Sequence, residues 1–197
     1  EETSYDIAFE QPKPEVRLIG TGTIVPKSNG KIPFAFEAVS LKSVQVRVTR
    51  IFENNILQFL QVNDFNCSYE LHRVGKEIVN ERIDLAKNGA MDLNQWNRHV
   101  IDLSPMINAE PGAIYRVSID FGPQNSNYTC EAGEEAEANF GETNAGTESE
   151  TDENGDEYYY DDYDYDWSDM WENRDNPCHT AYYTYSERGQ SRNILAS

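Results

Sequence analysis

The stretch Ala113–Phe121, "AIYRVSIDF", decides the fold class of this chain of 197 residues. Apolar and polar side chains alternate along it, as they do in a strand that turns one face to a core and the other to solvent. The side chains expected to point inward are Tyr115, Val117, Ile119 and Phe121, and those expected to point outward are Arg116, Ser118 and Asp120. The turn signal "EPG" at Glu110–Gly112 precedes the run, so we predict that a half-buried strand begins directly after a turn.

Further runs of period two fill the chain before and after this strand. The other candidates before the acidic region are Arg17–Val25, Lys31–Val39, Ser43–Phe52, Tyr69–Val79 and Asn94–Leu103. Alternation in the second places Ile32, Phe34, Phe36 and Ala38 on one face. Alternation in the third points Val44, Val46 and Val48 inward and Gln45, Arg47 and Thr49 outward. A last candidate follows Cys178. Their spacing is typical of a sandwich and not of alternating strands and helices. We therefore predict an all-β chain with one seven-stranded antiparallel β-sandwich. The run "NNILQFLQ" at Asn54–Gln61 suits either a helical turn or a bulged strand.

The charge of the chain is concentrated in one segment. The whole chain carries a net charge of −19. Residues 131–175 hold 18 acids and one base, and the remaining chain holds 17 acids and 15 bases. Such an acidic balance argues against binding to nucleic acid or to an anionic membrane surface. No apolar run approaches the length needed to cross a bilayer.

The composition also suggests how the domain is organised. Residues 131–153 are mostly Glu, Gly, Ala, Asn and Thr, which bury too little apolar surface to offset the entropy of ordering. We expect residues 131–176 to form an acidic, Tyr/Asp-rich insertion before the last strand of a single domain, 15–197. Residues 1–14 are expected to be an N-terminal extension. They show no signal-peptide pattern, and both ends of the sequence suggest a piece of a longer precursor.

Three cysteines leave the disulfide pattern open. Cys130 and Cys178 lie just outside the two ends of the acidic segment, so a bond between them would close that segment into a loop. We favour this disulfide, and with it an oxidising compartment, over two unrelated buried thiols. Cys67 is then expected to be a single, buried apolar residue.

The run "EYYYDDYDYDWSDMWE", Glu157–Glu172, offers a candidate calcium site. Asp162, Asp164 and Asp166 alternate, and carboxylate oxygens are the ligands that calcium prefers. The EF-hand template fails, since Trp167 stands where glycine is needed. A weak calcium site and a solvated acidic loop therefore remain as alternatives.

Protein recognition is a second possible use of the same run. The aromatic residues that would contact a partner are Tyr163, Tyr165, Trp167 and Trp171. Aromatic rings supply large contact areas, and the acids between them select a basic partner. The alternative is that these rings pack back onto their own domain, because fully disordered segments are usually poor in aromatics.

Catalysis finds little support in the sequence. The three histidines, His72, His99 and His179, are dispersed, and neither H-E-x-x-H nor G-x-S-x-G occurs. His99 lies in a strand candidate and is expected to be a structural residue. We predict that the chain is not an enzyme.

Several segments together resemble a known family. They are "RVTRIFENNILQFLQVN" (Arg47–Asn63), "IDLSPMINAEPGAIYRVSIDF" (Ile101–Phe121), "NPC" (Asn176–Cys178), "AYY" (Ala181–Tyr183) and "RNILAS" (Arg192–Ser197). They resemble the N-terminal region of bacterial alpha-2-macroglobulins, most of all the large envelope forms of Bacteroides-like bacteria. The resemblance covers roughly residues 15–122 and 176–197, and it rests on strand and turn sequences.

The resemblance implies a macroglobulin-like, fibronectin-like sandwich that serves as a non-catalytic structural domain of a large protease-trapping protein of the cell envelope. Its partners would be the other domains of that polypeptide and the target proteases. The family's Cys-x-x-Gln thioester has no counterpart here, because Glu70, Gly133 and Ala181 stand third after the three cysteines. The competing interpretation is a free-standing extracellular adhesion or carbohydrate-binding module that uses the aromatic acidic loop.

Overall fold

The computed structural model describes residues 10–20, 22–26, 28–65, 68–69, 71–86, 92–108, 113–130, 149–151, 157–159, 167–184 and 188–196. The strands are β1 (Glu15–Leu18), β2 (Ile24–Val25), β3 (Pro33–Val39), β4 (Ser43–Ile51), β5 (Gly75–Asp84), β6 (Asn97–Asp102), β7 (Ile114–Asp120), β8 (Ser149–Thr151), β9 (Glu157–Tyr159) and β10 (Gln190–Ala196). The helices are α1 (Ile56–Val62), α2 (Leu71–Val74), α3 (Trp167–Glu172) and α4 (Ala181–Thr184).

Two sheets form the body of the chain. The smaller has the order β1-β3-β6, and the larger has the order β2-β10-β7-β4-β5. Strands β8 and β9 pair separately as an antiparallel hairpin. The all-β prediction is therefore confirmed. The predicted seven antiparallel strands are wrong, because the described residues place eight strands in the two sheets and β2 pairs with β10 in parallel.

The main core lies between the two sheets and follows the alternation of the sequence. Inward side chains from the larger sheet and from the smaller sheet are all but inaccessible to solvent. These include Val44, Val46, Val48, Tyr115, Val117, Ile119 and Ile194 from the larger sheet, and Val16, Phe34, Phe36 and Ala38 from the smaller. The inward positions predicted for β3, β4 and β7 are thus confirmed.

The candidate strand Arg17–Val25 is divided between the two sheets. Its first half is β1, which pairs with β3, and its end is β2, which pairs with β10. Gly20 separates them with a φ of +79°, a conformation that glycine adopts without a steric penalty. The carbonyl of Gly20 accepts a hydrogen bond of 2.7 Å from Nη1 of Arg192 on β10. The chain therefore crosses from one sheet to the other where the sequence alone suggests one strand.

The candidate strand Tyr69–Val79 is also corrected, since it begins as helix α2. A Cβ on Gly75, the first residue of β5, would lie 2.9 Å from Cγ2 of Thr49, so the close approach of two strands needs a glycine here. Val74, at the end of α2, is buried in a small cluster with Phe59 of α1. Helical spacing brings Leu71 and Val74 to that cluster, which strand geometry would not do.

This small cluster lies on the outer face of the larger sheet. Phe59 packs with Ile51 of β4 and Ile114 of β7, and it is fully buried. The ambiguous run at residues 54–61 is thus mostly helix, α1, and the helix covers one end of the sheet. Asn193 of β10 holds the cover in place by donating a hydrogen bond to the carbonyl of Phe65.

The segment after Cys178 begins with α4 and becomes a strand only at β10. Tyr182 and Tyr183 of this short helix are buried, and their rings meet edge to face at 5.1 Å. The hydroxyl of Tyr182 donates to the carbonyl of Pro14 at 2.7 Å, and that of Tyr183 donates to the carbonyl of Pro177 at 2.8 Å. The helix therefore closes one end of the sandwich and ties residues near the N-terminus to it.

Candidate binding cleft on the five-stranded sheet

An open cleft of about 560 Å³ lies on the outer face of the larger sheet. Outward side chains of β4, β5, β7 and β10 line it, together with Leu71 of α2 and residues on and after α4. The lining residues are Arg47, Thr49, Leu71, Glu77, Arg116, Ser118, Asp120, Phe121, Tyr183, Thr184, Arg188, Gly189 and Ser191. Its volume is in the range of small-ligand sites.

Strand register brings the first arginine to the cleft. Strands β4 and β7 pair antiparallel with Arg47 opposite Ser118. Nε of Arg47 lies 2.9 Å from Oδ2 of Asp120, two residues along β7. This hydrogen bond is the main reason that the pKa of Arg47 is raised above its ordinary value, and it outweighs the lowering by desolvation.

A second arginine, Arg116, crosses from β7 to β10. Its Nη1 donates to Oδ1 of Asn193 at 3.2 Å, and its Nη2 donates to Oγ of Ser191 at 2.5 Å. Asn193 is the residue that also holds the segment between α1 and α2. The side chain of Arg116 is thereby fixed in the floor of the cleft.

A third arginine, Arg188, stands at the rim. Nε donates to the carbonyl of Tyr182 at 3.1 Å, and Nη2 donates to the carbonyl of Arg174 at 2.9 Å and to Oδ1 of Asp175 at 3.2 Å. Its guanidinium lies 4.0 Å from the centre of the Tyr182 ring. These contacts fix the position of the Arg188 guanidinium at the rim of the cleft.

Gly189 keeps the cleft open next to Asp120. A Cβ at this position would lie 2.2 Å from Oδ1 of Asp120, a distance that no real side chain could tolerate. Because the chain passes so close, the carboxylate of Asp120 is held between Gly189 and Arg47. Any larger residue at position 189 would displace the carboxylate that pairs with Arg47.

The cleft offers both donors and acceptors of hydrogen bonds. Arginines and hydroxyl groups supply hydrogen-bond donors, and two carboxylates, Glu77 and Asp120, lie among them. Among the described lining residues there is no histidine or cysteine, so the hydroxyls have no imidazole beside them to act as a general base. The arrangement suits the recognition of a polar or anionic group.

Most residues of the sequence-predicted sites lie outside the described residues. This applies to Asp162, Asp164 and Asp166 of the calcium hypothesis and to Tyr163 and Tyr165 of the partner hypothesis. Trp167 is the first residue of α3. Trp171, near the end of α3, is 53% exposed, with the guanidinium of Arg174 4.1 Å from the centre of its ring.

The structure joins Cys130 and Cys178 in a disulfide, with their Cα atoms 5.7 Å apart. Cys178 is buried next to α4. The backbone just before Cys130 meets the N-terminal segment, where Thr129 N–H donates to Oε1 of Gln11. The disulfide and this hydrogen bond together connect three parts of the chain that are distant in sequence. Cys67 lies outside the described residues.

Two histidines have well-defined surroundings. The ring of His99 stacks on Phe36 at 5.4 Å, and burial lowers its pKa. His179 accepts the N–H of Ala181 at Nδ1, and its Nε2 lies 3.3 Å from Asp169. Both rings are engaged in packing or in local hydrogen bonds.

The described ranges contain no group of three or more side chains suited to hold a metal ion. Within the same ranges, none of the helices combines the length and the apolar character needed to cross a membrane.

No protein-family model and no curated protein matches the chain. Two crystal structures of native alpha-2-macroglobulin from Escherichia coli are similar to it. The likeness is to a bacterial alpha-2-macroglobulin. For a fragment spanning domains MG0-NIE-MG1, the TM-score is 0.42 and the sequence identity is 17% over 58% of this chain. For a fragment spanning NIE-MG1, the TM-score is 0.41 and the sequence identity is 18% over 61% of this chain. The match spans 36% and 57% of those fragments.

Sequence reasoning missed the cleft. It placed Arg116 and Asp120 on the outward face of β7, and Arg47 on the outward face of β4. It did not predict that α2 and the residues on and after α4 would form walls beside these outward faces. The residue type itself was a partial signal, because arginine is favoured for ion pairs at interfaces and for binding carboxylates and phosphates. Arg188 carried no signal, since its position at the rim depends on contacts with Tyr182, Arg174 and Asp175 that form only in the folded chain.

Proposed function

We propose that the chain is a non-catalytic structural and interaction domain of a large alpha-2-macroglobulin-like, protease-trapping protein of the bacterial cell envelope. The observation that carries the proposal is where the family-like segments lie in the fold. They supply most of β4, all of β7, most of β10, all of α1 and most of α4. Strands β10, β7 and β4 are neighbours in one sheet. Segments far apart in sequence thus build one continuous body.

An exposed apolar face on α1 supports an interaction role within a larger polypeptide. Leu57 is 80% exposed and Val62 is 58% exposed, although Phe59 between them is buried. Exposed apolar groups in a cluster are typical of surfaces that meet another protein surface. The helix belongs to the segment Arg47–Asn63, which carries part of the family resemblance.

The acidic segment, residues 131–176, enters the proposal as an insertion in the connection to the last strand. Strands β7 and β10 are paired antiparallel neighbours, so the chain leaves and re-enters the same sheet across the segment. Its ends are joined by the disulfide, which suits an oxidising, extracytoplasmic compartment. The partners would be the other domains of the polypeptide and the target proteases.

The test begins with the native protein. An antibody raised against this chain should detect, in the envelope fraction of the source cells, a polypeptide much longer than 197 residues. The purified polypeptide, once cut by a protease, should leave that protease active on a small peptide substrate but shielded from a large protein substrate. A band of the size of this domain alone, or equal protease activity on both substrates, would contradict the proposal.

A further inference from the structure

We infer that the cleft on the five-stranded sheet binds an acidic side chain of a peptide segment from a partner polypeptide, with Arg47 as its main anchor. The hydrogen-bonding state of Arg47 leaves donors for a ligand. Only Nε is used, in the bond to Asp120. Among the described residues, Nη1 and Nη2 have no hydrogen-bond partner, and the side chain is 48% exposed. The flat end of the guanidinium is therefore presented to a ligand.

The charge of the lining residues matches a ligand group with one negative charge. Three arginines and two acids line the cleft, which leaves one positive charge in excess. A carboxylate carries one negative charge and can accept two parallel hydrogen bonds from a guanidinium. A phosphate group carries more negative charge than this excess offsets, and Glu77 and Asp120 would therefore repel it more strongly than a carboxylate. The balance therefore favours a carboxylate.

The walls of the cleft combine apolar surface with polar groups. Leu71, Phe121 and Tyr183 provide apolar surface beside the cations, and the hydroxyls of Thr49 and Ser118 lie in the floor. A Glu or Asp side chain has an apolar stem and a charged end, so it matches both kinds of surface. The volume of about 560 Å³ accommodates a few residues of a peptide.

Asp120 provides a sign-specific test, because it competes with the ligand for Arg47. Loss of its charge should leave the guanidinium entirely to the incoming carboxylate. Asp120→Asn should therefore tighten binding, whereas a variant that only damaged the fold would weaken it. Both side chains of the pair are partly solvated, so Asp120→Asn should leave the midpoint of urea denaturation nearly unchanged.

The experiment uses the full chain, labelled with nitrogen-15, and capped hexaglutamate as the probe at about 20 mM salt. Amide resonances of residues in the cleft, Ser118 and Gly189 among them, should shift on titration, while capped hexaglutamine should leave them in place. Arg47→Gln should weaken the affinity about tenfold, and Asp120→Asn should tighten it about threefold. The affinity of Arg47→Lys for hexaglutamate should lie between those of Arg47→Gln and the unaltered protein. Lysine keeps the positive charge but lacks the planar guanidinium that donates two parallel hydrogen bonds.

Arg98→Gln on the outer face of the smaller sheet is the matched control, because it removes the same charge far from the cleft. Its affinity for hexaglutamate should equal that of the unaltered protein. Equal weakening by Arg98→Gln and Arg47→Gln would reveal unspecific attraction and overturn the inference. Absence of shifts in the cleft, or stronger competition from inorganic phosphate than from acetate, would overturn it too. The measurement uses this chain alone, so its outcome is independent of the protease-trapping test.

Discussion

The outer faces of the two sheets differ, although both strand sets alternate in the same way. On the larger sheet, α1 covers Ile51 and Ile114 with Phe59, and all three side chains are buried. On the smaller sheet, Val100 of β6 is 59% exposed, and Arg17 stacks its guanidinium 4.0 Å from the centre of the Trp96 ring. Alternation therefore predicts which side chains point away from the main core. Their contacts on the outer face depend on other parts of the chain.

The largest expected effect comes from the cover of the larger sheet. Phe59→Ala should lower the free energy of unfolding by about 3–5 kcal/mol, because it empties a fully buried site. Val100→Ala is the matched change on the other outer face and should cost less than about 0.5 kcal/mol. Urea denaturation of both variants measures the difference.

Equal losses of unfolding free energy in these two variants would contradict the difference between the outer faces of the two sheets. A small loss in Phe59→Ala would mean that α1 lies loosely on the sheet and that its cluster is not a second core. A large loss in Val100→Ala would mean that the smaller sheet has a cover of its own.

The disulfide is expected to have the next largest effect, since it fastens α4 beside the cleft. The bond joins residues with a sequence separation of 48. Loop-closure entropy then predicts that the double change Cys130→Ser and Cys178→Ser lowers the free energy of unfolding by about 4 kcal/mol at most. Denaturation with and without a reducing agent measures the effect.

The unaltered protein under reducing conditions is the internal control for this change. It should unfold at the same denaturant concentration as the double variant. An unaltered protein whose midpoint is insensitive to reduction would show that the bond contributes nothing to the stability of the sandwich.

A smaller effect is expected at Tyr182, at the closed end of the sandwich. Burial raises its pKa to about 12 from 10.0. The folded state thus holds the proton more tightly than the unfolded state does. This contribution to stability is complete below pH 10 and is lost as the pH rises toward 12. Chemical denaturation at several alkaline pH values should therefore show a falling free energy of unfolding.

Tyr182→Phe separates the titration from the packing. At neutral pH it should cost about 1 kcal/mol, because the carbonyl of Pro14 loses its hydrogen-bond donor. Above pH 10 its stability should fall less steeply than that of the unaltered protein. The unfolding free energy of Tyr182→Phe should still fall with rising pH, since burial also raises the pKa of Tyr183. Identical slopes would show that Tyr182 does not titrate in this range.

The smallest effects are expected at the two outward ion pairs. Nε of Arg17 lies 2.5 Å from Oε2 of Glu37 on the smaller sheet, and Arg47 pairs with Asp120 on the larger. Both pairs are partly solvated, so Arg17→Gln and Arg47→Gln should each cost about 0–1 kcal/mol of stability. Only Arg47→Gln should also weaken the binding of hexaglutamate. A cost of several kcal/mol for either variant would contradict this account of the outer faces.

Much of the fold could be predicted where a strand keeps one environment along its whole length. Strand β7 is the best case, since each inward residue from Tyr115 to Ile119 is fully buried. Prediction failed where the environment changes within a run. The run of residues 17–25 begins in the smaller sheet and ends in the larger one, with the change at Gly20. The run Tyr69–Val79 changes from helix to strand at Gly75. Periodicity over a few residues cannot show such a change, because it reports the local pattern alone.

The candidate site was less predictable than the fold. The outward direction of Arg116 and Asp120 follows from the period of two. Their proximity to Arg47 needs the register of β4 against β7, which no local pattern contains. The contribution of Arg188 needs the burial of Tyr182 and the position of α4. The predicted sites in the Tyr/Asp run stay predictions.

The sequence by itself determined the alternation of β3, β4 and β7, the all-β class and the concentration of charge in one segment. These follow from local composition, because strand propensity and solvation act residue by residue. The tertiary structure alone decided the order of the strands, the parallel pair of β2 with β10, and the meeting of three arginines on one sheet face. Such features depend on contacts between residues far apart in the chain, and only the packed sandwich brings those residues together.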